Sequence, residues 1–210
     1  MSCTMPLPPT RPALRARYDR RRQELVDVAA TVFAEQGYQA TSMDDLSEAT
    51  GLTAGGLYHY IDGKEQLLFL ICDELLQPLL VEARAIVDRG GPPEGVLRTL
   101  VRTWVLHVQE HRTHMLVFQQ ERHVIERDPR WSTVRDHRKQ FERLLDGVLK
   151  RGVQEGDFTF ADRGLTLLSL LAMVNSTPQW LNPAGRLNPT RVADGFCDII
   201  LATPPAPAAR

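Results

Sequence analysis

The chain has 210 residues, 43% of them hydrophobic and 24% charged, with a formal net charge of −1. These are ordinary values for a globular protein able to bury a core, and the overall charge gives no sign of a nucleic-acid partner. Cys3, Cys72 and Cys197 are odd in number and unpaired in spacing, which argues against a disulfide framework or a zinc ribbon and for thiols in a reducing cytoplasm.

The first residues, MSCTMPLPPT, lack the apolar core of a signal peptide. The longest near-apolar run, over residues 165–174, is about half of the ~20 residues needed to cross a bilayer, so no membrane partner is expected. Charge is nonetheless unevenly placed. Arg11, Arg15, Arg17, Arg20, Arg21 and Arg22 face only Asp19 over the first 22 residues. Prolines at 6, 8, 9 and 12 predict a disordered basic arm over 1–17, and TPPAPAAR predicts a disordered tail over 203–210.

Between these ends the apolar pattern has a period of 3.6 and not two, which predicts an all-α chain. A first helix is expected over 19–36, with Leu25, Ala29, Val32 and Phe33 inward and Gly37 as its left-handed cap. Its start carries Arg20, Arg21 and Arg22, placed to lie along a phosphate backbone.

Ser42 followed by Asp45 predicts a capping box opening a short helix with Met43, Leu46 and Ala49 inward. Thr50-Gly51 makes the turn, Leu52 plugs the junction, and Thr53 caps the next short helix. Leu57 anchors that helix from behind, leaving Thr53, Ala54, Gly55, Tyr58 and His59 on the outside. A short braced helix with an exposed N-terminal half can enter a major groove. Asp62 and Glu65 suggest a second capping box at the start of a long helix. Lys64 in its first turn opposes the helix dipole, which makes sense for a side chain reaching to a phosphate.

The stretch ATSMDDLSEATGLTAGGLYHYIDGKEQLL resembles the N-terminal domain of TetR-type transcriptional repressors. The resemblance rests on the Ala-Thr-Ser entry, Thr50-Gly51-Leu52-Thr53, Leu57-Tyr58-His59-Tyr60 and Lys64-Glu65, and spans about residues 20–70. It implies a three-helix helix-turn-helix DNA-binding domain over 18–66 and a helical-bundle ligand-binding and dimerisation domain over 67–202. Ser42, Thr53, Gly55, Tyr58, His59 and Lys64 then fall where such proteins meet double-stranded operator DNA, Tyr58 and Lys64 at phosphates and Thr53, Ala54 and Gly55 nearest the base edges. Ala54-Gly55-Gly56 departs from expectation. It offers no long polar side chain for bidentate base contacts, and each glycine costs the helix about 1 kcal/mol relative to alanine. Specificity would then rest on backbone approach, the thymine methyl and DNA shape, or on His59 and the basic arm.

The long helix is expected to run to residue 89, with Pro78 kinking or splitting it, and Gly90-Gly91-Pro92-Pro93 turns the chain. Further helices are predicted over 94–111, 112–126, from Pro129 to about 155, 162–179 and from Pro189 to about 201. Leu165, Leu168, Ser169, Leu171, Ala172 and Asn175 span so much of their helix's circumference that burial on more than one side is expected. In TetR-type proteins the last two helices pair with their copies. A homodimer is therefore expected, and one short recognition helix reads too few base pairs alone.

Trp104, His107, Phe118, Gln119, Arg122, His123, Trp131 and Asn175 mix large apolar with polar groups, as an effector pocket needs. The segment 111–156, with the later Trp180-Leu181-Asn182-Pro183, resembles a TetR subgroup that senses acyl-coenzyme A thioesters. His107, His111 and His114 have zinc-compatible spacing only if one helix carries all three. With no carboxylate or cysteine of matching spacing, they read as surface or pocket-edge histidines, and neither a metal nor a cofactor is expected.

The reading is a ligand-responsive TetR-type repressor with no catalytic site. Two alternatives stay open: a helical enzyme or small-molecule carrier with a coincidental helix-turn-helix, and a DNA-binding regulator without a ligand.

Overall fold

A computed structural model describes residues 9–182 and 185–202, and among them every regular element is helical. The disorder expected over 1–8 and 203–210 lies outside the described residues, as do Cys3 and Pro183. No described helix is long and apolar enough to cross a membrane.

α1 spans Pro12–Gln36 and starts earlier than the arginine-rich sequence suggests. Pro12 sits in the first turn, where a missing N–H costs nothing, and the Arg15 amide donates to the Arg11 carbonyl at 2.8 Å. Residues 12–17 are therefore helical and not part of a disordered arm. α2 (Met43–Thr50) and α3 (Ala54–Tyr58) follow, then α4 (Lys64–Arg89), which Pro78 does not split.

α5 (Pro93–Glu110), α6 (Arg112–Gln120) and α7 (Arg122–Arg127) come next. The single helix expected over 112–126 is two, because Glu121 leaves helical geometry at φ −95° and ψ 12°. The Asp128 carboxylate accepts the Arg130 N–H at 3.0 Å and caps a 3-10 turn over Pro129–Trp131, which leads into α8 (Ser132–Glu155). Asp162 caps α9 (Arg163–Asn175), accepting from Leu165 at 2.9 Å. That helix stops at Ser176 rather than continuing to 179, and α10 (Thr177–Trp180) restarts the chain. Asn188 caps α11 (Pro189–Leu201), accepting from Arg191 at 2.8 Å.

The chain forms two compact units, and the division falls inside α4 and near the start of α8. The first unit takes the chain up to Glu74 and again over 113–134; the second takes 75–112 and 135 onward. In the first, Leu25, Ala29 and Phe33 of α1 are buried, as are Leu46 of α2, Leu57 of α3, and Leu67, Leu68 and Ile71 of α4. In the second, α5 packs along α11, and Trp104 meets the Phe141 ring edge-on at 4.9 Å. Two ion pairs reinforce that packing, Arg98 to Asp198 at 2.8 Å and Arg102 to Asp194 at 2.7 Å.

α9 corrects one expectation. Leu170 and Val174 are buried, yet Ser169 and Ala172 are exposed and Leu165 and Leu168 are each 63% exposed. Within one chain the helix is buried on one side only. Ala49 is likewise exposed rather than inward, since Leu46 alone fills the core side of α2.

Candidate nucleic-acid interface

The helix-turn-helix is set by local hydrogen bonds. The Ser42 hydroxyl accepts the Asp45 N–H at 3.1 Å, while the Asp45 carboxylate accepts the Ser42 N–H and O–H, both at 2.7 Å. Those Ser42 hydrogen bonds hold the Asp45 carboxyl below its ordinary range. Gly51 ends α2 in the left-handed region at φ 66°, where a side chain would be strained. The Thr53 hydroxyl accepts the Gly56 N–H at 3.2 Å and starts α3.

Leu57 is fully buried, while Thr53, Ala54, Gly55, Tyr58 and His59 are exposed. A methyl added at Gly55 would meet nothing within 4 Å; one at Gly56 would lie 3.4 Å from the Thr53 hydroxyl oxygen. The first turn of α3 therefore shows only small side chain and backbone on its outer face, open at Gly55, with the Tyr58 and His59 rings beyond it.

α1 braces this helix through a ring cluster. The buried Tyr18 packs against His59 at 5.7 Å and Tyr60 at 5.0 Å, and its hydroxyl lies 3.4 Å from the His59 carbonyl. Arg21 donates to Glu24 at 2.7 Å and to the Thr50 carbonyl at 3.3 Å, tying α1 to the end of α2. Arg20 is exposed and Arg22 half-buried. Arg17, Arg20 and Arg21 line one open groove with His59 and Tyr60, of about 500 Å³.

Lys64 is placed differently from the sequence argument. Its ammonium donates to the carbonyls of Tyr38, Gln39 and Thr41 at 2.7, 3.3 and 2.8 Å and lies 4.5 Å from the Tyr38 ring centre. An ammonium has three donors, and three carbonyl dipoles take them. A cation at this helix start thus needs no phosphate to justify it. Glu65 does not close the second capping box either. The Gln66 side chain accepts the Asp62 N–H at 2.7 Å, and Glu65 pairs with Arg130, also at 2.7 Å.

Two family models match the chain: bacterial regulatory proteins of the tetR family over residues 25–71, and the tetracyclin repressor-like C-terminal domain over residues 90–203. The second match alone takes in more than half the chain. The chain belongs to the TetR family. The HTH-type transcriptional repressor KstR2 of Rhodococcus jostii is 31% identical over 182 residues, which are 86% of this chain and 89% of that protein. The structure of the ketosteroid regulator KstR2 of Mycobacterium tuberculosis superposes with a TM-score of 0.79 at 28% identity, covering 86% of this chain and 93% of that one. AibR, solved in complex with isovaleryl coenzyme A and operator DNA, gives 0.75 at 26% identity, covering 87% and 99%. The fold is thus that of a TetR regulator, an N-terminal helix-turn-helix followed by a helical C-terminal domain, and the protein is a TetR-type transcriptional repressor.

The residues expected to line a TetR effector pocket divide between the two units. Trp104, His107 and Asn175 belong to the second; Phe118, Gln119, Arg122 and Trp131 belong to the first. Trp104, His107, Phe118 and Trp131 are buried, Gln119 and Asn175 half-buried, and Arg122 and His123 exposed. Arg122 instead pairs along its own helix with Glu126 at 3.7 Å. His107 has a defined task in its unit: its Nε2 lies 2.7 Å from the Leu75 carbonyl, three residues before Pro78. A carbonyl only accepts, so Nε2 carries the proton.

The three spaced histidines do not share a face. α5 ends at Glu110 with His111 as its cap, and His114 sits on α6. The His107 and His111 rings lie 4.5 Å apart in the second unit, while His114 belongs to the first. Cys72 and Cys197 are buried thiols. Burial pushes the Cys72 thiol well up and the Cys197 thiol up to about 12, so both stay protonated and unreactive at neutral pH.

Proposed function

We propose that this TetR repressor binds operator DNA as a homodimer through the outer face of α3 and the arginines of α1, and is released by a small acidic effector, an acyl-coenzyme A thioester. The observation that carries the DNA contact is the two-sidedness of α3, with Leu57 sealed in the core and Thr53, Ala54, Gly55, Tyr58 and His59 outward. Tyr58, Ser42 and Arg20 to Arg22 are assigned to phosphates, and Ala54 and Gly55 to the base edges. Lys64 supports this face by holding the turn over 38–41, next to the Ser42 cap. The reading unit is taken as 18–66, and the site of action as the cytoplasm.

The dimer is supported by apolar side chains that one chain leaves uncovered on α9, α10 and α11: Leu165, Leu168, Trp180 at 48% exposure and Ile199 at 62%. Covering a leucine or isoleucine fully contributes up to about 1.5–3 kcal/mol, which is set against the freedom lost on association. The effector class is supported by the likeness to AibR, whose structure holds isovaleryl coenzyme A together with operator DNA. Trp104, His107 and Asn175, which share the second unit, are the effector's proposed contacts there. The ligand acts by population shift, and moving operator occupancy from nearly full to nearly empty needs about 5.5 kcal/mol of preference between the two states.

Fluorescence anisotropy on the protein's own promoter tests the whole reading. Wild-type protein binds with a steep salt dependence, Tyr58→Ala weakens it, and acyl-coenzyme A thioesters release it where free coenzyme A does not. Unchanged affinity in Tyr58→Ala combined with Arg20→Ala would overturn the DNA assignment; release by none of the thioesters would overturn the effector class alone.

A further inference from the structure

Within the first unit three helices bring together side chains that no part of the repressor mechanism uses. Asp27 stands on α1, Glu74 on α4 and His114 on α6, and one donor atom of each lies within 4.8 Å of the others. His114 is 4% exposed, so its imidazole is held in place by the packing around α6. Its Nε2 lies 3.8 Å from the nearer Asp27 oxygen and 3.6 Å from the nearer Glu74 oxygen.

Those separations are too long for hydrogen bonds. They come close to the spacing of ligands around a common ion: bonds of about 2.1 Å in a tetrahedron put donor atoms about 3.4 Å apart. A fourth group completes the set. The Gln23 amide lies 2.7 Å from the same Glu74 oxygen and 3.4 Å from the same Asp27 oxygen. A half-turn of that amide exchanges its nitrogen for its oxygen and aims a carbonyl at the same point.

We propose that Asp27, Glu74 and His114, with Gln23, form a binding site for a divalent first-row transition metal ion. One imidazole nitrogen with two carboxylate oxygens and an amide oxygen is a borderline-to-hard donor set, suited to zinc, manganese or ferrous iron. Two carboxylates balance the ion's charge. Asp27, with its side chain 58% exposed, is the door through which it enters, while the buried imidazole is the fixed wall. A bound ion joins α1, α4 and α6 at one point, which makes this unit's stability depend on metal.

The test uses full-length protein stripped with a chelator and dialysed, with zinc as the probe. Calorimetric titration of the wild type gives one saturable zinc per chain, and Co2+ in its place gives the visible absorption of a low-coordinate site. Asp27→Asn and His114→Gln each lower zinc affinity by about 100-fold or more, since losing a ligand exceeds the 10–100-fold loss seen for outer-shell partners. Zinc raises the thermal midpoint of the wild type and leaves that of His114→Gln unmoved. No saturable zinc in the wild type, or equal affinity in Asp27→Asn, overturns the site. Asp27 is exposed and its replacement keeps the shape, so that variant decides the matter even where His114→Gln fails to fold.

Discussion

Two faces of this repressor are unfinished in a single chain, and they are unfinished in opposite ways. α3 presents Ala54, Gly55 and a pair of rings, with arginines of α1 alongside, and almost no apolar bulk. α9 and α11 present Leu165, Leu168 and Ile199, large side chains with nothing polar to satisfy. The first suits a charged polymer whose counterions are released on binding, so its strength falls with salt. The second suits a copy of itself, where the driving force is area removed from water and salt matters little. Salt response thus tells the two proposed interfaces apart without a structure of either complex.

Charging the apolar face gives the largest expected effect. Leu168→Glu with Ile199→Glu converts the dimer to monomer by light scattering and removes operator binding at working concentrations, while helical content by circular dichroism stays. A dimer surviving that double change would show that the apolar face of α9 and α11 is not where two copies meet. Removing arginines gives the next effect: each phosphate that Arg20 or Arg22 no longer neutralises lowers the slope of log affinity against log salt by about 0.9, with the dimer intact.

Lys64→Ala separates a brace from a phosphate contact. It costs the fold about 1.5–3 kcal/mol of unfolding free energy in urea, because it removes charge-assisted hydrogen bonds to three carbonyls. The salt slope of operator binding stays as in the wild type; a slope lowered by one full phosphate sinks the bracing role.

The two glycines give a finer contrast. Alanine at either position stabilises α3 by about 1 kcal/mol. Gly56→Ala keeps operator affinity, while Gly55→Ala reduces it by placing a methyl on the outer face.

The smallest effect is in acid. The Asp45 carboxyl is depressed in the folded protein, so its contribution to stability is complete above the ordinary carboxylate value of about 3.9 and fades as the pH falls below it. Asp45→Asn removes that part of the acid unfolding curve, read by circular dichroism between about pH 4 and 2.

The legible parts of this fold are the local ones. Ser42 with Asp45, Thr53, Asp162 and Asn188 can be assigned as caps because the bond each makes spans three residues. The break at Glu121 is not legible, since helical periodicity runs through it and no glycine or proline marks it. The break at Ser176 is marked by Pro178, which suits the first turn of a new helix better than the interior of an old one. Nor are the partners of Lys64, whose carbonyls lie in a turn that only the packed fold brings beneath it. His114 shows the same limit. Its sequence neighbours suggest His107 and His111, but the turn at His111 sends it to carboxylates on α1 and α4. The start of α1 is hidden because dense arginine and proline read as disorder, while Pro12 sets a helix.

Gly55 also bears on how such a repressor diversifies. A methyl built there meets nothing within 4 Å beyond its chain neighbours and its own helix backbone, and that backbone is ordinary helix, so the fold does not demand glycine. Most positions that decide recognition are also constrained by packing, and changing them alters stability along with specificity. This one meets no packing constraint at its Cβ. If the proposed contact at Gly55 holds, duplicated genes of this type can change operator by rewriting a single codon, at a cost or gain to α3 of only about 1 kcal/mol.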